Sequence, residues 1–144
     1  MKKKSGKKDL TRVVAAKPVK KIIEYYYFLQ EDLHVRQLRT AVGEAFEEQT
    51  DIWPELNLME IVMQHDSLIF QDAAECFVDP ADLAWFEEQG IKKQYQISYD
   101  IGDIAAVRKV MKNIMDAFGG VICSDTDDFE PSFRADTLDQ LAES

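Results

Sequence analysis

With 144 residues and 46% apolar content, the chain has the size of one ordinary domain and enough apolar surface for a real core, which excludes a disordered chain or a stapled mini-protein. The net charge of −10 is the sum of two opposed regions: residues 1–21 hold nine bases against one acid, +8, and residues 22–144 hold eight bases against 26 acids, −18. A body at −18 repels nucleic-acid phosphates and membrane headgroups and attracts basic protein surfaces, so a basic protein is the expected partner.

Residues 1–21 read as a flexible basic tail, rich in Lys and without sustained periodicity. Lys2, Lys3, Lys4, Lys7 and Lys8 are the residues through which such a tail would grip nucleic acid, with an affinity that falls steeply with salt. Residues 22–144 read as a single acidic α+β domain. It opens with Ile22–Leu29, whose β-branched and aromatic run predicts a central strand apolar on both faces. Asp32 is the expected cap of a helix running to about Gln49 along Val35, Leu38, Val42, Ala45 and Phe46. Gly43 within it implies close packing against another element. Residues 50–56 contain Trp53-Pro54, a pair unfavourable to helix, and read as a connection.

Residues 58–63 and 68–70 predict a β-hairpin turning at Gln64-His65-Asp66-Ser67. Asp79-Pro80 starts a helix that Gly90 closes. Residues 94–133 hold a complete strand, helix, strand unit. Tyr95, Ile97 and Tyr99 alternate with Gln96 and Ser98; Asp103 caps a helix whose stripe is Ile104, Val107, Met111, Ile114 and Phe118; Gly119-Gly120 stops it; and Val121-Ile122-Cys123 follows. Leu138 and Leu141 hint at a short terminal helix. The elements sum to a ferredoxin-like two-layer α+β sandwich: two β-α-β halves, an extra hairpin strand and an extra helix, with the helices on one face of a mainly antiparallel sheet. Such a plan also offers an edge strand or sheet face through which a homodimer could form.

The sharpest constellation is Ser124-Asp125-Thr126-Asp127-Asp128-Phe129-Glu130-Pro131, four carboxylates just past a strand. Asp125, Asp127, Asp128 and Glu130, with Trp53 and Trp85 as aromatic anchors, are the expected partner-binding residues. Asp125, Asp127 and Asp128 are also the residues that would hold a hard cation such as Mg²⁺ or Ca²⁺, although the spacing lacks the glycine and glutamate of a helix-loop-helix calcium site. No cofactor is otherwise implied. His34 and His65 are the two histidines, and no Ser-His-Asp or Cys-His set and no glycine-rich phosphate loop is present, so no catalytic residue is singled out. The basic-aromatic signature of RNA-recognition sheets is missing as well.

Cys76 and Cys123 form no Cys-x-x-Cys pair and read as reduced core thiols. No apolar run reaches membrane-spanning length, and a cytoplasmic protein is the simplest inference. The expectation is a small protein-binding or regulatory module that masks a basic surface on its partner. Toxin-neutralising immunity proteins are acidic for the same physical reason, though no motif here identifies that family. A metal-dependent enzyme or metal-regulated binder and a tail-driven nucleic-acid accessory protein are the alternatives.

Overall fold

The computed structural model describes residues 21–141. The lysines singled out at positions 2, 3, 4, 7 and 8 lie outside the described residues. The elements are β1 (Ile22–Leu29), α1 (Val35–Arg39), β2 (Thr50–Trp53), β3 (Leu58–Val62), β4 (Ser67–Asp72), α2 (Pro80–Gln89), β5 (Lys93–Asp100), α3 (Ile104–Phe118), β6 (Val121–Cys123) and β7 (Ser132–Phe133), with short 3₁₀ turns between them. The strands form one seven-stranded sheet in the order β2-β3-β4-β5-β1-β6-β7, and every pairing is antiparallel. This is an α+β fold whose sheet is larger than two β-α-β halves would make.

The period-2 pattern of each strand sorts its residues between the two faces. On one face Ile23, Tyr25, Tyr27, Leu29, Met59, Ile61, Leu68, Phe70, Tyr95, Ile97, Tyr99 and Ile122 are buried in a single core. Helix α3 covers them with Val107, Val110, Met111, Ile114 and Met115, which fall on one stripe at three- and four-residue steps. Each such side chain contributes about 1.5–3 kcal/mol on full burial. Buried tyrosines need partners for their hydroxyls: Tyr27 donates to the Gly119 carbonyl at 2.6 Å and Tyr95 to the Leu33 carbonyl at 2.6 Å. The Leu138 and Leu141 segment is a 3₁₀ turn docked on the same core, with the Leu141 carbonyl accepting from Arg108 Nε and Nη2 at 2.9 and 2.6 Å.

Helix α2 lies on the opposite face, contrary to the expectation of helices on one side. Its Phe86 packs with Phe28, Ala73, Phe77, Val121, Cys123 and Phe129, with Trp85 against them, in a second core at the β1–β6 end of the sheet. It starts as the sequence suggests: Asp79 accepts from Ala81 N, Pro80 stands at the first position, and Gly90 closes it at φ +72°.

The region between β1 and β3 departs furthest from expectation. Asp32 does not cap α1; His34 does, its Nδ1 accepting from Arg36 N at 3.1 Å while Nε2 sits 3.1 Å from the Pro54 carbonyl, which places the imidazole proton on Nε2. The helix ends at Arg39 rather than Gln49. Gly43 adopts φ +105°, and a Cβ there would fall 2.3 Å from Asn113 Nδ2, so the chain leaves helical geometry to pass close to α3. Residues 44–49 continue as a 3₁₀ turn, and residues 50–53 form edge strand β2 instead of a plain connection. Pro54 follows the strand, and Asn57, left-handed at φ +49°, turns the chain into β3. The first half is therefore not a β-α-β unit ending in β3, because β5 and β4 stand between β1 and β3. Cys76 is exposed rather than in the core, whereas Cys123 is buried and its thiol is pushed up to about 12 by burial.

Candidate partner-binding surfaces

The loop after β6 is shaped by its own short-range chemistry. Ser124 donates to the Pro131 carbonyl through both N and Oγ, at 3.2 and 2.7 Å, closing the loop at its base. The Thr126 hydroxyl lies 2.8 Å from the Glu130 carbonyl and 3.1 Å from Asp128 Oδ1, and the same carboxylate accepts from Glu130 N at 3.1 Å. Phe129 takes φ +58°, a conformation unfavourable for a bulky residue by about 1–2 kcal/mol. Its buried ring lies 5.3 Å from Phe28 and 5.0 Å from Trp85, centroid to centroid, so aromatic burial offsets the strain. The result is a pinned loop with Asp125, Asp127, Asp128 and Glu130 all exposed.

Trp85 and Glu130 line one cleft of about 290 Å³, together with Phe28, Gln89, Phe129 and Arg134. The fold thus brings one of the two tryptophans to the acidic loop. Trp53 lies elsewhere, at the end of β2, the opposite edge of the sheet from β6 and β7. The four carboxylates do not converge: Asp128 is engaged within the loop and Glu130 accepts from Ser132 Oγ. Among the described residues no group of three or more His, Cys, Asp or Glu side chains is placed to hold a metal ion.

The acidic loop does not stand alone. The Tyr26 hydroxyl has its pKa raised by partial burial and by the charges of Asp125, Cys76, Glu24 and Asp82. Loop, β1 and α2 therefore share one negative neighbourhood centred on Tyr26. Three of the described bases make contacts within the chain. Lys93 pairs with Asp72, Lys112 with Asp116 at 2.9 Å, and Arg108 is held by Leu141. The shallow groove of about 720 Å³ along α3 that Arg108, Lys109 and Lys112 line also contains Asp136 and Asp139.

His65 belongs to a latch rather than to the acidic surface. The buried Asp103 carboxylate accepts from His65 N at 3.0 Å, His65 Nδ1 at 2.8 Å and Asp66 N at 3.0 Å, tying the β3–β4 turn to the head of α3. Asp103 thus starts the helix without capping it through its side chain. An imidazole held in this way is oriented, and in the same turn Ser67 Oγ donates to Glu60 at 2.5 Å. His34 is committed to its cap and to Pro54.

Three further carboxylates escape a motif-based reading: Glu24 and Glu60, each set between inward-facing apolar neighbours on β1 and β3, and Asp51, between Thr50 and Ile52 on β2. The signal that finds them is the strand alternation itself, which sends every second residue to the face that α3 does not cover. Among the described residues no helix is long and apolar enough to cross a membrane. The chain matches no family model, no curated protein and no solved structure.

Proposed function

We propose that the protein is a non-enzymatic, acidic protein-binding module that masks a basic surface of its partner, as an inhibitor or immunity-like protein does. One observation carries this reading: Asp125, Asp127, Asp128 and Glu130 are exposed on a loop held in shape by its own hydrogen bonds and by the buried Phe129 ring, beside the cleft that Trp85 lines. Carboxylates fixed in place, within a body at −18, raise the encounter rate with a cationic surface, and a preformed loop loses little conformational freedom on binding.

The strand order supports a finer reading of the fold. In β6-β1-β5-β4 the outer members of each triplet, β6 with β5 and β1 with β4, run parallel across a shared antiparallel neighbour, which is the order of a ferredoxin-like kernel. The β2–β3 pair and α2 are then additions to it. Two unpaired thiols, one of them exposed, support a reducing, cytoplasmic setting.

The test begins with affinity capture from nuclease-treated lysate and continues with the captured partner purified. Its association rate should fall steeply with salt and drop about tenfold when Asp125, Asp127, Asp128 and Glu130 are changed together to Asn and Gln, with the melting temperature unchanged or higher. An association rate that the four changes leave untouched removes the loop from the interface.

A further inference from the structure

The sheet has a second acidic surface, larger than the loop. Strand register lays two full rows of outward-facing residues across β2, β3, β4, β5 and β1: Trp53, Leu58, Gln71, Gln96 and Tyr26; then Asp51, Glu60, Ile69, Ser98 and Glu24; beyond them lie the pairs Val62 with Ser67 and Ile22 with Asp100, whose carboxylate accepts from Gly102 N at 2.8 Å. Apart from Asp100 none of these residues is buried, whereas the neighbours of the others along each strand point to the face that α1 and α3 cover. Trp53 is 42% exposed, Val62 47% and Ile22 47%, so all three large apolar side chains that the strands expose lie on this one face. Its charged members are Asp51, Glu60 and Glu24, together with the buried Asp100, and no Lys or Arg is among them.

We propose that this open face is a docking surface for one basic amphipathic helix of a protein partner. The inference rests on the binding-module reading and extends it from the loop to the sheet. Charge fixes the chemistry of the occupant: a face with exposed apolar groups and three carboxylates fits an apolar stripe flanked by Lys or Arg and rejects an acidic one. Size fixes its form. Five strands at about 4.8 Å spacing span roughly 19 Å, and the two full rows about 7 Å apart, with Val62 and Ile22 beyond them, give a width that one helix of about 10–12 Å diameter fills. Helix α2 already packs in this way on the β1–β6 end of the same face, and the occupant would lie beside it. A second copy of this chain is disfavoured, because two bodies at −18 repel.

The probe is a synthetic 18-residue helical peptide of Leu and Lys in amphipathic spacing, with a control in which Glu replaces Lys, titrated into the isotopically labelled full chain at low salt. Saturable amide-shift changes are expected at Ile22, Glu24, Asp51, Trp53, Glu60 and Val62 with the Lys peptide and none with the Glu peptide. The E24K/D51K/E60K variant should bind at least tenfold more weakly with its melting temperature retained, and Trp53→Asp should weaken binding on its own. Shifts confined to residues 125–130 would overturn this inference and leave the loop reading standing; no shifts anywhere would remove both. Shifts at the face that grow with protein concentration alone would assign it to a second copy, and broadening of Trp53 by a spin label at Ser5→Cys, with Cys76→Ser, would assign it to residues 1–20; either result overturns the proposal.

Discussion

Strands β1 to β5 present two faces of nearly equal extent that have met opposite fates. On one, Tyr27, Phe70, Tyr95 and Ile97 are fully excluded from water in the core that α1 and α3 cover; on the other, Trp53, Val62 and Ile22 remain about half exposed among Asp51, Glu60 and Glu24. The difference is one of cover, since both faces carry large apolar side chains. Stability resides where the chain provides its own second layer, and the carboxylates that keep the other face soluble also leave it available.

Breaking the covered face should produce the largest effect. Phe70→Ala removes a ring that packs edge-on to both Tyr27 and Tyr95, and the cavity should cost about 3–5 kcal/mol in urea denaturation. Alkali tests the same face without mutation. Burial raises the pKa of Tyr27, Tyr95 and Tyr99 above the ordinary 10.0 and that of Cys123 from 9.0 to about 12. The folded state therefore favours the protonated forms, so their contribution is complete below pH 9 and is lost as the pH rises through 9 and then 10 toward the folded values. Stability should decline from about pH 9 upward, and phenolate absorbance should show that Tyr27, Tyr95 and Tyr99 ionise only with unfolding.

A smaller effect is expected at Gly43. In the interior of a continuous helix, Gly→Ala would stabilise by about 1 kcal/mol. At φ +105°, with Asn113 Nδ2 only 2.3 Å from the new Cβ, Gly43→Ala should instead destabilise by about 1–3 kcal/mol, and a gain in thermal stability would restore the uninterrupted helix. The open face should respond least. Trp53→Ala and Val62→Thr should each stay within about 0.5 kcal/mol of the parent, and a larger loss would show that something in the chain covers this face after all.

The same contrast between local and distant causes explains what could be read from the residues. β1, the β3–β4 hairpin, α2 and α3 are legible because each carries its own periodicity and punctuation, such as Asp79-Pro80 with Gly90, or the stripe from Ile104 to Phe118. The apolar pattern of residues 35–49 is also helical, but Gly43 and its contact with Asn113, distant in sequence, divide it. β2 is four residues long and acquires its identity only by pairing with β3. Asp103 looked like a simple cap because nothing local shows that its carboxylate is claimed by a turn nearly 40 residues earlier. Of the candidate site, the exposure of the acidic loop follows from its composition, whereas the partnership of Trp85 with Phe129 and the separation of Trp53 are products of sheet order.

Sheet order also sets a timetable. β1 is the first strand described and lies inside the sheet, yet its neighbours arrive late: Leu29 pairs with Lys93, Ile22 with Asp100 and Tyr26 with Cys123. During synthesis at about 5–20 residues per second, the segment Ile-Ile-Glu-Tyr-Tyr-Tyr-Phe-Leu waits on the order of ten seconds for the strands that flank it. Over that interval it is a strongly β-prone sequence with neither edge occupied, while the β3–β4 hairpin can already close. Newborn chains, rather than finished molecules, are therefore the population in which this protein is most exposed to aggregation.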